Sequence, residues 1–231
     1  MKILAIDTST EYLGLAIAED DKILGSFREG QGMKHSSLLM PSIDGLLAKC
    51  HLRLKNIEVI ALSIGPGSFT GLRIGVAACK GINLVFGTPI VDVPTLDAIA
   101  YNFINEKERI LCPLIDAKKG KLYACFYERP IINPGLAHQP ELNKLTDYML
   151  TDLDYILGKI YKPTVVFGDG VALYGADIKK SPLIHISTEN WFPKADVVAK
   201  LGLAKAAKRQ FANPDKLVPM YLHSMYCQVK K

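Results

Sequence analysis

Lys2-Ile3-Leu4-Ala5-Ile6-Asp7-Thr8-Ser9-Thr10 opens the chain, and Ile110-Leu111-Cys112-Pro113-Leu114-Ile115-Asp116-Ala117-Lys118 repeats its plan 109 residues later. In each stretch an apolar run stops at an aspartate and a polar turn follows. A second segment then returns: Leu13, Leu15 and Ile17 in the first case, Lys121 to Tyr127 in the second. Short apolar runs bounded by turn residues read as buried strands, and the return reads as a hairpin. Ile23 to Phe27 extends the first hairpin into an antiparallel meander. A unit recurring at half the chain length predicts a duplicated α/β fold of two lobes. The charged turn Asn105-Glu106-Lys107-Glu108 marks their boundary, so lobes are expected at residues 1–104 and 105–231.

Two helices carry the first lobe outward from its strands. Over Ser36 to Cys50, Leu39, Met40, Ile43, Leu46, Leu47 and Cys50 fall on one stripe, with Ser36 placed to cap the start. Thr70 to Phe86 is apolar nearly all round, interrupted only by Arg73, Lys80 and Asn83, so cover on nearly all sides is expected. Its own sheet and the first helix supply two covers, and a partner subunit is the expected third; full burial inside one lobe is the alternative. The partner-facing residues predicted are His35, Leu39, Ile43, Leu72, Arg73, Val76 and Lys80. A further helix rich in Ala and Lys is expected from Asp196 to Gln210.

The composition limits what such a chain does. With 231 residues and 49% apolar content it has material for a substantial core, which argues against disorder. Four apolar residues before Asp7 are too few for a secretory signal. The longest apolar stretch, Ile74 to Phe86, contains Lys80 and Asn83 and is expected to fall short of the ~20 residues of a membrane helix. Five cysteines without CxxC spacing read as reduced thiols, which predicts a cytoplasmic protein. Of the net charge of +5, the segment Lys194 to Lys231 supplies more than all, eight Lys and Arg against two Asp. A solvated helix face explains it, and a weak, salt-sensitive hold on nucleic acid is the sharper alternative.

The chemistry-bearing groups are sparse. Gly65-Pro66-Gly67-Ser68-Phe69-Thr70-Gly71 joins a strand to a helix, a context that suits anion binding. No Gly-Lys-Ser/Thr follows, so it is not a Walker loop. It loosely resembles a dinucleotide fingerprint with Asp92 ending the next strand, although an antiparallel meander precedes it. Close helix packing through the glycines is the alternative. Asp7, Thr8 and Asp116 end strands beside turns and are partial candidates for a phosphate and Mg²⁺ site; equally, they cap turns. No base or lysine clamp completes the chemistry. Histidines 35, 51, 138, 185 and 223 show no ligand spacing, so no metal is expected.

Leu4-Ala5-Ile6-Asp7-Thr8-Ser9, His35-Ser36 with Leu39 and Pro41, Gly65 through Gly75, Lys80-Gly81, Val93-Pro94-Thr95-Leu96 and Asp116-Ala117 together resemble the TsaB family. These are the non-catalytic subunits of bacterial tRNA threonylcarbamoyladenosine synthesis. The resemblance spans most of the chain and loosens after Glu128. It implies an actin-like, sugar-kinase-like fold, a duplicated ribonuclease H-like α/β unit. It also implies a scaffold role, with no cofactor of its own, beside a catalytic paralogue, TsaD, that modifies the adenosine next to the anticodon. The resemblance further implies that an ATPase, TsaE, joins them and that tRNA is met through the complex; the apolar excess of the Thr70 to Phe86 helix predicts that the chain alone pairs with itself. The paralogue carries two metal-binding histidines four residues apart, and the matching positions here are Thr95 and Ile99. Isoleucine has no lone pair to offer a metal. Lys118 stands where the family usually has Arg, keeping the charge but losing the planar fork. An ATP-dependent kinase or a metal-dependent peptidase acting alone are the alternatives.

Overall fold

Strand β1 (Lys2–Asp7) is apolar without alternation up to Asp7, and Ile3, Leu4, Ala5 and Ile6 are all fully buried. Such a strand needs cover on both faces. It pairs antiparallel with β2 (Tyr12–Glu19), which pairs antiparallel with β3 (Lys22–Gly30). Helix α1 (His35–Lys49) leads to β4 (Val59–Gly65), and helix α2 (Phe69–Phe86) leads to β5 (Ile90–Pro94) and helix α3 (Thr95–Tyr101). Strands β4 and β5 run parallel to β1, giving the order β3-β2-β1-β4-β5. The computed structural model describes residues 1–30, 35–105, 110–129 and 142–223.

The plan recurs in β6 (Ile110–Asp116), β7 (Leu122–Ala124), β8 (Tyr127–Glu128), β9 (Asn143–Lys144) and β10 (Met149–Thr151). Helix α4 (Leu153–Lys159), β11 (Thr164–Phe167), α5 (Gly170–Ile178) and β12 (Ile184–Ile186) follow. Strand β6 pairs antiparallel with β7 and parallel with β11, as β1 does with β2 and β4; β12 then lies parallel to β11 as β5 lies to β4. The duplication is therefore present strand for strand, and the fold is the two-lobed actin-like one. Part of the irregular segment from 129 to 163 lies outside the described residues.

The chain divides into two units, 1–98 with 193–220 and 99–192 with 221–231. Against the single cut expected at 104, residues 99–104 go with the second unit and 193–220 with the first. Helix α6 (Ala195–Ala207) returns to the first unit, where Ala195, Val198, Ala199 and Ala206 cover Ile3, Ala5, Val59, Ala61, Val91 and Val93. Gly202 is part of that seal, because a Cβ there would lie 2.5 Å from Ala61 Cβ. Lys205 Nζ donates to Asp92 Oδ1 at 2.8 Å and to the Asp92 carbonyl at 2.6 Å, tying the helix to β5. Helices α1 and α2 pack on the opposite face, on Leu4, Ile6, Leu15, Ile60 and Leu62.

Helix α2 is covered within the first unit on its inner side and open on another side. Ser68 caps it, its Oγ accepting from the Gly71 N–H, and Gly87 at φ 67° ends it. Leu72, Val76, Cys79 and Ile82 are buried, whereas Leu84 is 86% and Val85 73% exposed. Its 18 residues are long and apolar enough for a bilayer span by length and composition alone, contrary to expectation. Its inner face is nonetheless part of the first unit's core. Among the described residues α1 is helical from His35, which puts Ser36 within the helix, exposed.

Candidate functional site

Asp7 ends β1 fully buried, accepting hydrogen bonds from the Ser9 N–H at 3.2 Å and the Ser9 hydroxyl at 3.0 Å. Burial pushes its carboxyl up from 3.8 to about 6. The Ser9 bonds, the Ser63 hydroxyl and the Arg28 charge oppose that rise; Ser63 lies near the carboxyl but short of a full hydrogen bond. The hydroxyls of Thr8, Ser63 and Thr95 are buried without a hydrogen-bond partner. Such groups are uncommon in a finished core. They gather where β1, β4 and β5 end, the edge of a parallel sheet at which ligands bind in α/β folds.

The glycine-rich turn serves packing. The Ser68 N–H donates to the Ser9 carbonyl at 2.7 Å. A Cβ at Gly71 would clash with the Thr8 carbonyl, one at Gly67 with the Ser9 carbonyl, and one at Gly75 would reach 2.5 Å from Thr8 Oγ1. The glycines thus let α2 lie directly on the turn after β1. Of the two readings of this segment, the close-packing one is what the structure contains. Asp92 sits within β5, paired with Lys205, and so does not end a strand as a ribose ligand would. Gly71→Ala is expected to cost about 2 kcal/mol, since backbone must move to admit the methyl group. Thermal melts of the variant check this, and an unchanged midpoint would mean the turn yields freely.

In the second unit Asp116 ends β6. Its carboxylate accepts from the Lys118 N–H at 2.8 Å and from Lys118 Nζ at 2.5 Å. Lys118 (φ 63°) and Lys119 (φ 54°) both adopt the left-handed region, unusual for residues with side chains. That turn folds the lysine back onto its own aspartate. The Asp116 N–H donates to Asp169 Oδ1 at 2.9 Å. Burial raises the Asp169 carboxyl above its ordinary value; the Asp116 N–H bond opposes this and the Asp116 charge adds to it. Sequence reasoning missed Asp169, although it follows β11 much as Asp116 ends β6, and the same strand-then-aspartate signal marks it. Asp7 and Thr8 lie in the first unit, Asp116 in the second.

The predicted interface residues separate into two groups. Leu39, Ile43, Leu72 and Val76 are buried in the first unit itself and do not present a surface. This corrects the expectation for those four: a helix apolar on both sides gives no periodic clue to which side faces in. His35 is also buried, its Nε2 donating to the Thr10 carbonyl at 2.9 Å, which fixes the start of α1. Arg73 is exposed, stacked 3.8 Å over the Phe69 ring, and Lys80 is half-buried. The open face of α2 is instead Arg73, Ala77, Gly81, Leu84 and Val85, with Met40, Gly45 and Ala48 open on α1.

Thr95 and Ile99 are buried on α3. Among the described residues no three His, Cys, Asp or Glu side chains form a ligand set. Cys50, Cys79, Cys112 and Cys125 are free thiols, and Cys227 lies outside the described residues.

A family model described as TsaD, tRNA N6-adenosine threonylcarbamoyltransferase, matches residues 28–151. The chain is 30% identical to the tRNA threonylcarbamoyladenosine biosynthesis protein TsaB of Bacillus subtilis, covering all of this chain and 97% of that protein. It is 35% identical to the TsaB of Escherichia coli over 56% of each chain. Among solved structures, a Pseudomonas aeruginosa protein described as similar to peptidase YEAZ superposes with a TM-score of 0.82 at 22% identity, covering 96% of this chain and 99% of that one. At that identity the likeness shows the fold alone.

Proposed function

The chain belongs to the TsaB family of tRNA threonylcarbamoyladenosine biosynthesis proteins, and from that premise we propose that it is the accessory, non-catalytic subunit of a TsaD-containing complex. The observation that carries this reading is the open face of α2. Leu84 and Val85, 86% and 73% exposed, continue a row of small residues, Ala77 and Gly81, that lets another backbone approach closely. Contiguous exposed apolar surface marks an interaction site. The buried pair Thr95 and Ile99 agrees with it, since one of the two has no donor for a metal. The role is in tRNA modification, and neither the kinase nor the peptidase alternative gains an observation.

In this reading α1 and α2 dock on the catalytic paralogue. Without it, the same surface pairs with a second copy in a two-fold contact. The ATPase TsaE joins the assembly, and tRNA is held by the assembly in the cytoplasm, with only salt-sensitive help from the basic residues of α6. Asp7 and Asp116 do not turn over ATP in the isolated chain. Ala77→Asp places a charge on the open face and is expected to weaken association with the paralogue at least about tenfold, roughly 1.4 kcal/mol, without altering the melt. Calorimetric titration of the paralogue with both proteins checks this. Undiminished affinity would move the interface elsewhere, and wild-type protein that does not bind the paralogue would overturn the accessory role.

A further inference from the structure

A cavity of about 200 Å³ lies in the second unit, walled by Ile110, Phe126 and Leu145. Ile110 and Thr164 begin β6 and β11, so the cavity is at the opposite end of these strands from Asp116 and Asp169. Its rim carries Lys159, Tyr161 and Lys162. Tyr161 is 74% exposed, with Lys162 Nζ 5.4 Å from its ring centroid; Tyr155, 49% exposed, has Lys159 Nζ at 5.2 Å. Neither ammonium has an ion-pair partner among the described residues. The hydroxyls that reach the cavity are already engaged. Thr146 Oγ1 accepts from the Phe126 N–H at 3.0 Å, and Thr164 Oγ1 donates to the Lys162 carbonyl at 2.8 Å.

The interior is therefore apolar, and the rim carries two cations and an exposed aromatic ring. Pockets for drug-sized molecules run to roughly 300–1,000 Å³. This one has room for a single planar ring system, with whatever is attached to it left at the rim. Stacking faces beside unpaired lysines are how proteins hold single-stranded nucleic acid without reading its sequence. We propose that the cavity binds a nucleotide unit, base inside and against Tyr161, phosphate on Lys159 and Lys162. The proposal rests on these residues alone, independent of the family reading.

The test is calorimetric titration of the full chain with adenosine, adenosine monophosphate and a short oligoadenylate, at about 50 and about 200 mM salt. Both phosphorylated ligands are expected to bind, adenosine about tenfold more weakly, with affinity falling as salt rises. Lys159→Ala with Lys162→Ala should weaken phosphorylated ligands about tenfold and flatten the salt dependence; Tyr161→Ala should weaken all three about tenfold. All three side chains are exposed, so the melts should superpose on wild type. Oligoadenylate binding tighter than the monophosphate identifies an RNA strand as the source, and equal affinity identifies a free nucleotide. Absence of binding by both, or binding indifferent to both variants, overturns the proposal.

Discussion

Val76→Asp is expected to unfold the protein at ordinary temperature or to lower its melting point by roughly 10 °C or more. Val76 is 7% exposed and packs in the core formed by α1, α2 and the first sheet. A carboxylate there would sit among apolar side chains at the core, and a buried charge left uncompensated costs about 3–5 kcal/mol. Total stabilities are about 5–15 kcal/mol, so this one change removes a large share. Ala77→Asp, one residue on and exposed, should shift stability by no more than about 0.5 kcal/mol. Circular dichroism melts of the two variants measure the contrast. A Val76→Asp protein melting like wild type would mean that α2 turns a different face to its sheet.

That contrast also marks where the sequence stopped being legible. Both repeats were readable because a buried parallel strand is a nearly unbroken apolar run, and each ended on an aspartate. The hairpins that follow came with them. The inner and outer faces of α2 were not readable, because Leu72, Val76 and Cys79 on one side and Ile74, Ala78 and Val85 on another are equally apolar. Leu84 and Val85 were hidden for the same reason. The return of α6 was not readable either. Its Ala-rich pattern specifies a helix with a small-residue face, and says nothing of which sheet that face seals. Asp7 and Asp116 stood out as strand ends, but the depth of Asp7 came only with the packing of Gly67, Gly71 and Gly75 against the turn.

Asp7→Asn is expected to stabilise the protein near pH 7.5 and to leave it nearly unchanged near pH 4. The folded-state carboxyl titrates at about 6 instead of 3.8 because burial disfavours its charge. A raised acid binds its proton more tightly when folded, so its contribution to stability is complete below about pH 4. That contribution is lost as the pH climbs through about 6. The difference is worth about 3 kcal/mol at most. Asparagine keeps an oxygen for the Ser9 donors and has no charge to bury. Chemical denaturation from acid to neutral pH should therefore show wild-type stability falling more steeply than that of the variant. Asp169, raised in the same direction, leaves the variant a residual slope. Parallel curves would show that Asp7 is solvated in solution.

The placement of α6 sets an order on folding during synthesis. Ile3, Ala5, Val59, Ala61, Val91 and Val93 all leave the ribosome before the helix that covers them, Ala195–Ala207. For the time it takes to translate some hundred residues, the first sheet has α1 and α2 on one side and bare apolar surface on the other. Domains ordinarily fold as they emerge, N-terminal first, and half-covered sheets are prone to aggregate. Here the second unit is nearly complete before the first can close. A nascent chain stalled just before Ala195 should consequently be a chaperone client, and one released beyond Lys205, with its anchor to Asp92 in place, should not.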